Sequence, residues 1–132
     1  HTKMMNVALE VAEYLEDNGI GTVGTNIFVD SLPEEEGTIV AVYNTGGSSP
    51  DIDLPIPYPS FQVLVRDKQA SVAYAKIKSI VDLLVNKYNI TLVSGGNYYY
   101  SINMRGEIQN LGQDERNRKE YTVNFSCRVR GR

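Results

Sequence analysis

Two segments repeat their hydrophobic residues every three or four positions, which predicts amphipathic helices. The first covers residues 3–18 and is expected to end at Asn18-Gly19, because Gly19 can adopt the left-handed conformation that closes a helix. The second starts from Asp67 as a candidate N-cap and extends to about Tyr88 with a continuous apolar stripe. Each helix should therefore bury one side.

Six shorter segments have the alternating or continuously apolar patterns that are typical of β-strands. The one at residues 38–43 is apolar on both faces, which predicts a place inside a sheet. In the last one the outward residues are polar and the inward ones apolar. The predicted strands cover residues 26–30, 38–43, 61–66, 90–93, 98–105 and 121–130.

Two stretches lack such patterns and are predicted to be loops. Residues 44–60 contain four prolines and two glycines, which disfavour regular hydrogen bonding, although they keep alternating apolar residues. Residues 106–119 are polar and charged, with Leu111-Gly112 as the apolar interruption. Long loops inside a compact domain are often functional, so both are candidate contact regions.

The order of one helix, three strands, one helix and three strands contains no βαβ series. It predicts an α+β fold, a two-layer sandwich in which a twisted, mainly antiparallel mixed sheet carries two helices packed on one face. Residues 1–132 are interpreted as a single domain, with 1–3 as a tag remnant or frayed start. The sheet face away from the helices should be polar, with Gln62, Arg66, Asn103, Thr122, Asn124, Ser126 and Arg128 on it.

The amino-acid composition argues against most catalytic mechanisms. Among 132 residues the chain has one cysteine, Cys127, and one histidine, His1, so an internal disulfide, an imidazole-activated nucleophile and a zinc site all lack parts. A net charge of −3 argues against tight binding of nucleic acid. No apolar run is long enough to span a membrane. We therefore expect no cofactor, no metal and no membrane.

Two motifs could still suggest a small-molecule site. The residues from Gly19 to Gly24 match the dinucleotide pattern GxGxxG, but they follow a predicted helix and precede a strand, which is the reverse of the arrangement that binds a pyrophosphate. Asp51 and Asp53 form a carboxylate pair without a partner acid in an apolar pocket. An enzyme or ligand-binding domain that uses residues 44–60 as a lid over this pair is therefore a weak alternative.

Two polar features can each be interpreted either as a contact surface or as ordinary solvent-exposed surface. The segment 114–120 mixes both charge signs, which suits either a solvated hairpin or a contact that fixes the register between identical subunits. In the run Tyr98-Tyr99-Tyr100, the middle ring must face away from the other two. This pattern fits a strand between the core and a partner subunit, or an exposed cross-strand tyrosine.

Several short motifs, taken in order, resemble the phage tail terminator family, often labelled minor capsid protein. They are spread over nearly the whole chain, and their order and spacing are more specific than any one of them. One departure is Ile108-Gln109-Asn110, where a proline-containing approach to Leu111-Gly112 is expected. The resembling residues are Ile27–Val29 with Leu32-Pro33, Tyr43–Gly47, Pro59–Arg66, Ala73-Tyr74, and Leu111–Arg118 leading into Tyr121–Phe125.

The resemblance implies a lambda-type structural protein and no enzyme. Such a protein forms a ring of its own copies, a hexamer, on the completed tail tube; it stops tube polymerisation and provides the surface for head-to-tail joining. Its partners would be the tail tube protein and the connector or stopper protein. Double-stranded DNA would pass through the ring without specific binding. The protein would assemble in the host cytoplasm and remain in the virion, at the head-tail junction of the tail. The expected interface residues are Asp51, Asp53, Tyr58, Tyr99, Asp114, Glu115, Arg116 and Arg118.

Two further interpretations stay open at this point. A head-tail stopper or connector adaptor would show motifs that differ only in part from those of a terminator. A monomeric protein-interaction module would use the polar face of its sheet without forming a ring.

Overall fold

The computed structural model describes residues 6–48 and 58–130, which form two helices and six strands. In chain order these are α1 (Val7–Asp17), β1 (Ile27–Val29), β2 (Ile39–Ser48), β3 (Tyr58–Asp67), α2 (Ala70–Leu84), β4 (Lys87–Thr91), β5 (Tyr98–Gln113) and β6 (Lys119–Arg130).

The six strands form one mixed sheet in the order β1-β2-β3-β6-β5-β4. β1 and β2 are parallel, and every other neighbouring pair is antiparallel. At the centre, Phe61 of β3 lies opposite Phe125 of β6, and their stacked rings are 5.0 Å apart. The α+β class and the mainly antiparallel mixed sheet are thus confirmed.

One continuous hydrophobic core joins both helices to the sheet. Helix α1 contacts β1, β2 and β3, whereas α2 contacts β3, β5 and β6. The strands contribute alternate residues, as period-two alternation requires. The buried residues of the helices are Val7, Ala8, Val11, Ala12 and Leu15 in α1 and Ala73, Ile77, Ile80, Val81 and Leu84 in α2.

The opposite face of the sheet is also buried at one end. Ile39, Ala41 and Leu64 are buried there, which confirms that the second strand is apolar on both faces. Arg66 and Thr122 lie on this face as predicted, but each is only 1% exposed, so the prediction that this end of the face is an open polar surface is wrong. The physical reason is distant in sequence: the segment between β1 and β2 lies against this end and accepts hydrogen bonds from the Arg66 guanidinium.

Helix α1 is capped at its start by Asn6 and closed by Gly19, where the sequence predicts its end. Asn6 caps its start by accepting a hydrogen bond from the backbone N–H of Leu9. Gly19 has a φ of 81°, and the N–H of Ile20 donates to the carbonyl of Leu15, which is the bond pattern of a Schellman motif. The GxGxxG motif therefore closes a helix and has no helix N-terminus to offer a phosphate.

The second helix is shorter than predicted at both ends. Asp67 is the last residue of β3, and its carboxylate accepts from Thr38 Oγ1 and from the N–H of Gln69 instead of capping the helix. At the other end, Val85 is extended and Asn86 has a positive φ of 59°, which turns the chain into β4 before Tyr88. Local polar residues therefore redirect the backbone where the apolar stripe alone does not.

Residues 106–119 form the turn end of a long hairpin and lie mostly in its first strand, so the prediction of a loop there is wrong. β5 continues to Gln113 and pairs with β6, with irregular register between Arg105 and Gln109 and again near Gly112. Gly106 and Gly112 have positive φ angles, which a bulged strand tolerates best at glycine. The bulges interrupt the alternation of side chains and thereby hide the strand from a pattern analysis.

Candidate assembly surface

Two arginines hold the covered end of the sheet closed, in a cluster that we call the arginine latch: Arg66, Arg118, Asp114 and Glu34. Arg118 is 2% exposed, and its Nε donates to Asp114 Oδ2 at 2.8 Å while its Nη2 donates to Glu34 Oε2 at 2.8 Å. The Nη2 of Arg66 donates to the carbonyls of Pro33 and Glu35. The latch therefore ties the turn of the β5–β6 hairpin to the segment between β1 and β2.

The latch also sets the ionisation of its carboxylates. The hydrogen bond from Arg118 is the main cause that lowers the pKa of Asp114 to about 2, and the backbone N–H groups of Arg118 and Arg116 also donate to its Oδ1. The same guanidinium lowers the pKa of Glu34. Burial raises the pKa of Glu120, and the Asp114 charge adds to that effect. Both latch carboxylates thus stay ionised at neutral pH.

The structure brings together the four predicted contact residues of the hairpin turn but gives them different surroundings. Glu115 and Arg116 are exposed, and Arg116 Nε lies 3.6 Å from Glu34 Oε2. Arg118 is enclosed by Asp114, Glu34 and the carbonyl of Glu35. Its side chain is already used within the chain, and a direct contact with a partner stays a prediction.

Tyr99, another of the predicted contact residues, lies in the core. Its ring is fully buried in the core, and its hydroxyl donates to Glu10 Oε1 at 2.7 Å. Burial is the main cause that raises the pKa of this phenol, with the Glu10 hydrogen bond second. The side chain is therefore unavailable to a partner. Tyr98 and Tyr100, which pack edge to face at 5.2 Å, are the half-buried members of the run.

The uncovered end of the outer sheet face forms a shallow polar groove, which we call the arginine face: Thr45, Tyr58, Ser60, Arg105, Asn124, Ser126, Arg128 and Arg130. The groove beside Arg105 has a volume of about 500 Å³ and is lined, among the residues that the structure describes, by hydroxyl, amide and aromatic groups with no carboxylate. Of the predicted interface residues, Tyr58 lies here. The site is shaped for contact with a polar surface.

Three exposed arginine side chains give this face a positive charge. Arg105, Arg128 and Arg130 are exposed, and Arg128 and Arg130 lie over the rings of Tyr58 and Tyr98 at 5.1 and 5.0 Å. These cation–π contacts hold the two guanidinium groups in place while their outer N–H groups stay accessible. The sequence analysis placed Arg128 on the outer face but did not single out the three arginines. The alternation of Arg128 and Arg130 at the end of β6 was the available signal.

Asp51 and Asp53 lie outside the described residues. Within residues 6–48 and 58–130, no group of three or more His, Cys, Asp or Glu side chains is arranged to hold a metal ion. In the same part of the chain, none of the helices combines the length and the apolar character that crossing a membrane requires.

Comparison with known proteins identifies the class of protein to which this fold belongs. A chain in the virion of a native gene transfer agent particle has the same fold, with a TM-score of 0.71, 17% sequence identity and coverage of 95% of both chains. A comparison with curated protein sequences finds no match. A family described as bacteriophage tail terminator protein matches residues 14–130. The chain belongs to this family of phage virion structural proteins, as the sequence motifs indicated.

Proposed function

We propose that this chain caps the completed tail tube as a hexameric ring of identical subunits, ends tube polymerisation and offers the surface to which the head connector joins. The observation that carries the proposal is the family match over residues 14–130. It is supported by the polar surface that the described residues present on the outer face of the sheet. In this role the chain acts without catalysis.

The proposed mechanism is geometric. A contact between two unlike surfaces closes into a ring only when the rotation between successive subunits divides a full turn, and closure leaves no open position for another tube subunit. The proposal includes a two-layer arrangement in which both helices form one layer, because both contribute to the same core cluster. The sheet and hairpin then remain for contacts with neighbours, tube and connector.

The partners follow from this position in the virion. The exposed turn residues Glu115 and Arg116, together with Asp114, are proposed to contact tube, connector or neighbouring subunit. We keep Asp51 and Asp53 as proposed contacts on the strength of the sequence alone. Double-stranded DNA would pass through the ring without specific binding, which a net charge of −3 per subunit favours.

Tube elongation in vitro tests this function. Purified chain is added to growing tail tubes, and tube lengths and tube ends are measured by negative-stain electron microscopy. We expect elongation to stop and ring-shaped density to appear at one end. Continued growth at the rate of untreated tubes would contradict a terminator, and binding only to tubes that already carry a cap would identify a stopper instead.

A further inference from the structure

A second charged surface lies on the helix side of the chain. Glu13, Glu16 and Asp17 are three and four positions apart on α1, so they project from one side of the helix, and Glu16 and Asp17 are exposed. Leu9, one turn earlier on the same side, is 38% exposed. We call these four residues the acidic stripe. Helix α1 contains no lysine or arginine to balance it.

The acidic stripe does not stabilise its own helix. Glu16 and Asp17 lie in the last turn of α1, where the helix dipole is negative and a carboxylate is unfavourable. The ion pairs found among the described residues involve other carboxylates, those of Glu34, Glu36, Asp82 and Asp114. The charges of the stripe are thus solvated in the isolated chain and are accessible to a cationic partner.

The arginine face and the acidic stripe lie on opposite sides of the sheet. Helix α1 packs on the core side of β1, β2 and β3, whereas Arg105 and Asn124 face outward beside the groove. If two copies met through the same surface, like charges would be opposed, which is unfavourable. A contact between the two unlike surfaces instead pairs each charge with its opposite. Such a contact is heterologous and forms a ring when the rotation between subunits closes, or an open filament when it does not.

We infer that the arginine face of one subunit docks on the acidic stripe of a second copy, and that this contact joins successive subunits. The inference rests on the proposed ring and names the surfaces that build it. Charge complementarity identifies a second copy of the chain as the partner that binds the arginine face. Guanidinium groups can bind carboxylates through two parallel hydrogen bonds, and Tyr58 and Tyr98 already position two of the three. Leu9 adds an apolar contact at one end of the stripe.

Paired charge reversals test this contact. One variant carries Arg105→Glu and Arg128→Glu, the second carries Glu13→Lys and Glu16→Lys, and a third carries all four changes. The matched control is Lys78→Glu, an exposed reversal on α2 away from both surfaces. Circular dichroism confirms folding, and the readouts are the fraction of capped tail tubes and, by native mass spectrometry, the subunit composition of the caps.

The wild type and the control are expected to cap tubes, whereas each two-residue variant alone should lose capping about tenfold or more because like charges are opposed. Capping should return in the four-residue variant. It should also return when the two variants are mixed, since alternating subunits then oppose unlike charges at every contact, and the caps should contain both in equal numbers.

Three results would overturn the inference in distinguishable ways. Capping by each two-residue variant at the wild-type level would overturn the docking contact alone. Failure of the wild type to cap would overturn the proposed function and this inference together. Tight binding of double-stranded DNA at physiological salt that is lost only in the arginine variant would show that the arginine face is a phosphate-binding surface instead.

Discussion

Glu34 and Arg118 are 84 positions apart, yet Glu34 Oε2 accepts a hydrogen bond from Arg118 Nη2 at 2.8 Å. The guanidinium is buried, and its other N–H groups are used by Asp114 and by the carbonyl of Glu35. The contact connects the turn of the long hairpin to the segment that covers the outer face of β2 and β3. The two regions should therefore open together.

Replacing Arg118 by methionine tests this connection. The change keeps much of the buried volume but leaves the Asp114 carboxylate without its charged donor, which a partly enclosed anion cannot easily tolerate. We expect the thermal unfolding midpoint to fall by several degrees, measured by circular dichroism. Arg116→Met is the matched control, since Arg116 is 59% exposed, and it should unfold near the wild-type temperature. Equal midpoints for all three proteins would refute the structural role of the latch.

Stability at acid pH should depend on the same carboxylate. The pKa of Asp114 is lowered from 3.8 to about 2 in the folded chain, so the unfolded state binds a proton more readily. Its stabilising contribution is complete above the unfolded pKa and is lost as the pH falls from about 4 towards 2. Urea unfolding at pH 7, 4, 3 and 2 measures this loss. In Asp114→Asn the dependence on pH over that range should be weaker, and an unchanged slope would contradict the assignment.

Features encoded by neighbouring residues are predicted well by the sequence. Val123 and Phe125 alternate with Asn124 and Ser126, and the structure buries the first pair and leaves the second half-exposed. The closure of α1 at Gly19 likewise depends on a few adjacent residues. In each case the pattern and the physical cause lie within a short stretch of chain, so periodicity and turn chemistry are sufficient to identify the element.

Features that depend on distant contacts were missed for the same reason. Arg66 has the sequence context of an outward residue in a strand, and it is buried only because the carbonyls of Pro33 and Glu35, more than 30 positions away, accept its hydrogen bonds. The bulges of β5 disturb its alternation, and the hydroxyl of the buried Tyr99 donates to Glu10, far earlier in the chain. No local pattern contains this information.

The hydrogen bond between Tyr99 and Glu10 should contribute to stability. Tyr99→Phe keeps the buried ring but removes a donor to a carboxylate, which costs about 1.5–3 kcal/mol for a hydrogen bond to a charged group. Urea unfolding of the two proteins gives the difference in the free energy of unfolding. Tyr100→Phe provides the control, because its ring is half-buried on the outer side and its loss of a hydroxyl should have little effect. A larger loss for the control would contradict the placement of the two rings.

Cys127 should report on opening of the central sheet. Its side chain is 1% exposed, and burial raises the pKa of the thiol to about 12, so at pH 8 it is both inaccessible and protonated. A thiol reagent should therefore label the native chain at least about a thousandfold more slowly than the chain in urea, in proportion to the fraction that is transiently unfolded. Arg118→Met should accelerate labelling if loosening of the latch extends to β6. Rapid labelling of the wild type under native conditions would show that β6 separates from β3 far more often than its paired, buried position implies.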